Sequence, residues 1–353
     1  MIGKDDLRAA VGAGILNEGQ AASLAALADS RRGAREDLAP GDEPFELFKG
    51  FNEIFIVVGL VILATGWAAI SAVTIGSEIR DVVGAIILQT VIGAALIWAL
   101  AEYFIRRRRM IAPAIALTGL FAGNAAIGMN AWLAQPFMVA QNDISSLPLP
   151  LILTTVAVFI FWLRFRVPIA LAAVALGLFA AAVVFSASGG SAPDNMRDFF
   201  LLSADGNFAW LTLLLGIATF VAAMGFDMSD PHRVTRRAAN GFWLHVVAAP
   251  AIVNTVALSL LESDGGRLVV LGGFLALIAL VAIIIDRRSF LIAGVGYVVV
   301  IATTVTGSGG AAFAILALGA VLLLLGAFWE RIRGILLKIA APILPLKRLP
   351  PTA

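Results

Sequence analysis

The chain has 353 residues, of which 60% are hydrophobic and only 14% charged, with a mean hydropathy of +0.96. Soluble domains carry about 25% charged residues, so a water-soluble fold is excluded, and the long apolar blocks mark a multi-pass membrane protein. The net charge of +2 is a matter of topology rather than of an anionic macromolecular partner.

Residues 1–32 form a polar cytoplasmic head without the short apolar core and small-residue cleavage site of a removable signal peptide. Asp5 or Asp6 is placed to cap a short helix that Gly14 ends. Asn17 with Gln20 three positions later predicts a capping box opening a second helix, with Leu24 and Leu27 turned inward. Such a hairpin is too small to hold a core alone. It docks on the membrane domain, self-associates or takes a protein partner. Residues 33–52 read as a Gly/Pro/acidic linker followed by an apolar juxtamembrane stretch.

A span needs about 20 mostly apolar residues to cross about 30 Å of hydrocarbon. Within 53–330, ten segments qualify: 54–73, 82–105, 110–132, 147–163, 167–186, 207–226, 241–261, 268–285, 289–305 and 311–328. Each must be helical, because only a helix satisfies its own backbone in lipid without strand partners. The expected fold class is therefore all-α, a polytopic membrane protein of ten transmembrane helices with a small N-terminal helical hairpin. Residues 331–353 form a basic amphipathic tail containing a C-terminal interfacial helix. In it Arg331, Gly334 and Lys338 share one face, with isoleucines and leucines opposite.

Ten spans with both termini in the cytoplasm put 22 of the 25 Lys and Arg residues inside and only Arg80, Arg197 and Arg267 outside. Basic residues beside short loops orient membrane proteins in this way. The run Arg106, Arg107, Arg108 and Arg109 is read as a topological stop beside anionic lipid headgroups, not as a nucleic-acid site. The Trp residues give a second check: Trp98, Trp162, Trp243 and Trp329 fall at inner ends and Trp132 and Trp210 at outer ends, with Trp67 deeper. The bilayer itself, anionic at the inner face, is the first partner implied.

Buried polar groups are few. Gln89, Asn124, Asn130 and Asn254 are the candidate intramembrane polar cluster, since an amide in hydrocarbon needs a partner. They either join helices by hydrogen bonds or line a ligand cavity. Gly119 and Gly123 form a GxxxG pair suited to close helix packing. RRRRMIAPAIALTGLFA and RFRVPIALAAVALGLFA share a basic turn and a proline near the start of an outward helix, a plan compatible with a repeated two-helix hairpin.

No acidic or basic residue lies at the centre of a predicted span. Glu53 and His245 sit near inner edges, Glu102 is spaced to pair with Arg106, and Asp286 and Glu330 border inner basic clusters. Phosphate-cradling loops, zinc-protease motifs and nucleophile elbows are absent from the sequence. It has no cysteine and only two histidines, His232 and His245, which excludes disulfides and thiolate chemistry and leaves little basis for a metal site. No catalytic, cofactor-binding or metal-binding residue is assigned. In the connection 187–206, Asp194, Arg197 and Asp198 read as a short surface helix.

LRAAVGAGILNEGQAASL, followed by a linker and the glycine-bearing first span GLVILATGW, resembles bacterial multi-pass proteins carrying domain of unknown function 2157. The likeness covers roughly residues 5–140 and includes the outward helix ending in Asn130, Trp132 and Gln135. It departs at Gly66-Trp67, where that family often shows Asn-Trp. The resemblance implies a bacterial inner-membrane protein and supplies no activity. The expected function is a non-enzymatic scaffold or partner-docking protein, with residues 1–32 as the docking element. The alternative is a permease or channel for a small neutral or lipid-like substrate.

Overall fold

The computed structural model describes residues 4–30, 51–77, 81–141, 143–189, 195, 197–203, 207–262, 268–342 and 345–351. The expected linker and most of the juxtamembrane stretch, with Arg80, Asp194 and Arg267, lie outside them. The described residues are helical and contain no strand. Eight of their helices are long and apolar enough to cross a membrane, and the chain is an all-α, multi-pass membrane protein. It divides into two compact units, residues 44–194 and residues 1–43 with 195–353.

The 44–194 unit holds α3 (Phe51–Ser77), α4 (Val82–Ala101), α5 (Ala112–Leu133), the short α6 (Pro136–Ala140), α7 (Pro148–Phe165) and α8 (Pro168–Ala187). Prolines occupy the first turns of α5 to α8, where a missing N–H costs nothing and φ is preset for the helix. Helix α5 packs against α3, α4 and α7, and α7 against α8. A knot of rings fills the middle of this packing: Trp98, Phe121, Phe161 and Phe165 lie 4.5–6.0 Å apart between centroids. Glu53 is buried beneath the start of α5. It accepts from the N–H groups of Ile111 and Ala112, so its charge complements a helix N-terminus.

The other unit holds α1 (Lys4–Gly12), α2 (Glu18–Ser30), α9 (Phe208–Met228), α10 (Arg236–Glu262), α11 (Leu268–Ile285), α12 (Ser289–Ala327) and α13 (Trp329–Ala340). The head forms as its caps dictate. Gly14 takes a left-handed φ of +72° at the turn. Asn17 N–H donates to Gln20 at 3.0 Å while Gln20 N–H donates back at 2.8 Å, which completes the predicted box. Leu24 and Leu27, expected to face inward, are exposed, and the small Ala21 and Ala22 are buried instead. Of the connection expected to hold a short surface helix, only residues 195 and 197–203 between Gly189 and Asn207 are described. Residue 195 is a bend, 197–200, 202 and 203 are turns, and Arg197 pairs with Glu262 at 2.5 Å. Ala249, Val253 and Ala257 of α10 pack with Leu271 and Leu275 of α11 and Phe290 of α12 in the apolar core.

Helix α12 runs for 39 residues where two spans are expected. A straight helix of that length is about 58 Å long. Yet Asp286 and Arg288, just before the run, both meet Trp329, just after it. The run therefore turns back on itself between Ser289 and Ala327. Beyond it α13 turns away from Ile315–Ala327 by 76°.

Candidate functional site

The densest chemistry lies where the short links between α9 and α10 and between α11 and α12 meet. Asp227 is in the last turn of α9, His245 is two and a half turns into α10, and Arg287 is in the three-residue link before α12. Arg287 donates to Asp227 through both Nε (2.9 Å to Oδ2) and Nη2 (2.5 Å to Oδ1), and Nη2 also donates to the Ala238 carbonyl at 3.0 Å. His245 Nε2 lies 2.9 Å from the same Asp227 Oδ2. All three side chains are buried, His245 completely.

A forked guanidinium on a carboxylate is the strong form of a charge-assisted bond. Burial pushes Arg287 down to about 9, which leaves it cationic at neutral pH. His245 and Asp227 share one hydrogen bond through Nε2, and the buried Nδ1 on the other side of the ring has no hydrogen-bond partner among the described residues. Phe220 and Phe290 stand edge-on to the imidazole at 5.5 and 5.7 Å. Gly241 is required here, because a Cβ at that position would fall on the Asp227 carboxylate.

Two further carboxylates complete the cluster. Asp230 accepts from the N–H groups of Val234 (3.1 Å) and Thr235 (2.9 Å) and from the Thr235 hydroxyl (2.6 Å), and so caps α10. Asp286 receives Arg233 Nη1 at 2.8 Å and the Trp329 indole N–H at 2.7 Å, while its carbonyl receives Arg233 Nη2. Arg233 and Asp286 both hold left-handed φ values, 54° and 57°, in a region that costs non-glycine residues about 1–2 kcal/mol. The double grip between them offsets that cost.

The head docks on this loop. Arg8 Nε donates to the Val234 carbonyl at 3.0 Å. Val11, Leu16, Asn17 and Glu18 face Pro231 and His232 across an open groove of about 630 Å³. Partial burial and the neighbouring Asp230 raise the Glu18 pKa, while Arg237 pulls it the other way.

The amides predicted from sequence lie elsewhere. Gln89 on α4 accepts from Ser71 at 3.0 Å and donates to Thr74 at 2.7 Å, tying α4 to α3. Asn124 on α5 donates to the Thr90 carbonyl at 2.8 Å, one residue along α4 from Gln89. Asn130 donates to Ala126 of its own helix. Asn254 is half-buried on α10, in the other unit. A Cβ added to Gly119 or Gly123 would meet nothing within 4 Å, whereas the same atom on Gly128 would stand 2.7 Å from the Thr90 hydroxyl.

The 102–107 segment closes α4 as a wide π-type turn. Glu102 pairs with Arg106 at 3.3 Å and with Arg164 at 2.7 Å. Arg107 is exposed, Arg108 lies over the Tyr103 ring, and Arg109 takes a φ of 53°.

Sequence reasoning leaves Asp227 and Asp230 without a role, reads Asp286 only as the border of a basic cluster and Arg287 only as one cation of it, and places His245 only near an edge of its span. One signal was available. Asp227, Asp230 and Asp286 stand among the basic residues Arg233, Arg236, Arg237, Arg287 and Arg288 in the sequence, a spacing that offers each acid a cationic partner. Comparison with family models, with curated proteins and with solved structures finds no match to this chain.

Proposed function

We propose that this chain is a non-enzymatic multi-pass protein of a bacterial inner membrane, with ten spans and both termini in the cytoplasm, that docks a protein partner through its head. The head's fixed seat is the observation that carries this reading. Arg8 holds the head to Val234, and the loop bearing Val234 is itself held by Asp230 on one side and Arg233 on the other. A small hairpin seated in this way presents a constant surface. Its outer side carries Ile15, Leu24 and Leu27, all exposed, and exposed apolar residues on a polar element suit a partner site. Eight helices are long and apolar enough to span, and the reversal within 289–327 leaves room for a further pair. The pairing of Gln89 and Asn124 with neighbouring helices supports packing over ligand contact.

The test is affinity purification of the full-length protein from native membranes beside a Leu24→Glu/Leu27→Glu variant. The reading expects a co-purifying protein that the variant loses while the bundle keeps its thermal midpoint. An unchanged set of co-purifying proteins would remove the head as docking element.

A permease for a small neutral or lipid-like substrate is the second reading, and the buried Asp227–His245 pair favours it. A titratable pair enclosed in a helical bundle is a feature that proton-linked carriers use. If Asn124→Ala and Asn254→Ala abolish ligand-dependent thermal stabilisation without loss of fold, this reading displaces the first.

A further inference from the structure

Helix α13 has two faces of different kinds. Trp329, Arg333 and Leu337 recur at four-residue steps and are buried. Arg331, Ile335, Lys338 and Ile339 lie on the opposite side and are exposed, Ile335 at 59% and Ile339 at 71%. The sequence pattern separates cations from isoleucines on this helix. In the structure they share one face, because the buried side is taken by the indole bonded to Asp286 and by Arg333.

Arg333 works as a clasp. Its Nη1 donates to the Pro351 carbonyl at 3.0 Å and its Nη2 to the Pro350 carbonyl, and Leu349 is buried beside them. The 345–351 segment thus returns to α13, and it carries the exposed Lys347 and Arg348. Two cations from the helix and two from the returning segment therefore belong to one body that also exposes isoleucines. Glu330 is the one acid among the described residues of 329–351.

We infer that this face of α13, with the returning segment, is a docking surface for the anionic headgroups of the inner leaflet. The isoleucines enter the acyl boundary and Arg331, Lys338, Lys347 and Arg348 meet lipid phosphates. A helix carrying apolar and basic side chains on its free side suits the interface plane. The 76° turn from Ile315–Ala327 brings α13 close to that plane when the preceding helix crosses the bilayer. The inference rests on the membrane-spanning reading and specifies its lipid partner.

The experiment compares the thermal midpoint of the purified full-length protein in detergent with added phosphatidylglycerol against added phosphatidylcholine. The same comparison is made on an Arg331→Gln/Lys338→Gln/Lys347→Gln/Arg348→Gln variant. Reading the difference between two lipids on one protein cancels any change in basal stability. The expected result is a higher midpoint in the anionic lipid, with most of that difference lost in the variant. No lipid difference in the wild type, or a full difference in the variant, overturns the proposal. So does an equal shift with soluble glycerol phosphate, which would assign the cations to a free anion. A cysteine at Arg107 labelled from outside sealed cells would reverse the topology and overturn the inner-leaflet assignment.

Discussion

Trp329 donates its indole N–H to the carboxylate of Asp286 at 2.7 Å, across 43 positions of sequence. That one bond fixes the path of everything between them. It obliges α12 to double back and fastens the start of α13 to the link between α11 and α12. The chain contains no cysteine, so paired spin labels on cysteines at Ser289 and Ala327 give an unambiguous distance. The expected separation is far below the roughly 58 Å of a straight 39-residue helix. A distance near that length would mean that the reversal does not exist.

Asp286 also neutralises Arg233, so its removal has a larger effect than the loss of the indole bond. Asp286→Asn leaves a buried guanidinium without its counter-charge, a change that costs about 3–5 kcal/mol. Trp329→Phe removes one hydrogen bond and leaves the ion pair, at a cost of about 1–3 kcal/mol. Thermal unfolding in detergent should rank Asp286→Asn well below Trp329→Phe. Equal losses would show that Asp286 contributes only its bond to the indole.

The Asp227–Arg287 fork is more deeply enclosed and should show the coupling expected of a buried pair. Asp227→Asn and Arg287→Met each strand one partner and should each lower stability by about 3–5 kcal/mol. The double variant should recover much of that loss, because it removes both charges at once. Additive losses would place the two residues in separate interactions. Because the pair is buried, the coupling should persist at high salt.

Much of the architecture is legible in the letters. Apolar runs of sufficient length, prolines at helix starts, Gly14 and the Asn17–Gln20 box all act through neighbours within a few residues, and the first eight runs, the prolines, the turn and the box appear where the spacing puts them. The charge cluster is not legible in that way. Asp227 and Arg287 are 60 positions apart, and no local period joins them. The rule that orients spans counts cations, so an acid in a basic link passes as solvated. Leu24 and Leu27 show a different limit. Apolar periodicity finds the helix but leaves open which side is covered, and here the close approach is made by alanines.

Glycine substitutions separate tight from open helix faces. An alanine is favoured over glycine in a helix by about 1 kcal/mol, so Gly119→Ala and Gly123→Ala should be neutral or stabilising in detergent, given the open space around both. Gly241→Ala should instead destabilise clearly, since the new methyl must displace the Asp227 carboxylate from its fork. If Gly119→Ala or Gly123→Ala lowers the midpoint only in a bilayer, the GxxxG face packs against another helix there.

Glu18 makes the seat of the head sensitive to pH. Burial against the 230–237 loop and the charge of Asp230 raise its pKa above the ordinary 4.5, so the docked state holds the proton more tightly than the released state. A raised acid pKa adds stability that is fully present below the released-state value and is lost as pH rises through the docked-state value. Docking of residues 4–30 should therefore tighten as the solution is acidified from neutral toward the unperturbed carboxyl range. Hydrogen exchange of the α1 and α2 amides, corrected for the intrinsic pH dependence of exchange, should show protection rising over that interval. Glu18→Gln should hold the head in its tighter form at neutral pH and flatten the profile. A Gln variant with the wild-type slope would assign the pH response to other groups and leave Glu18 without a part in it.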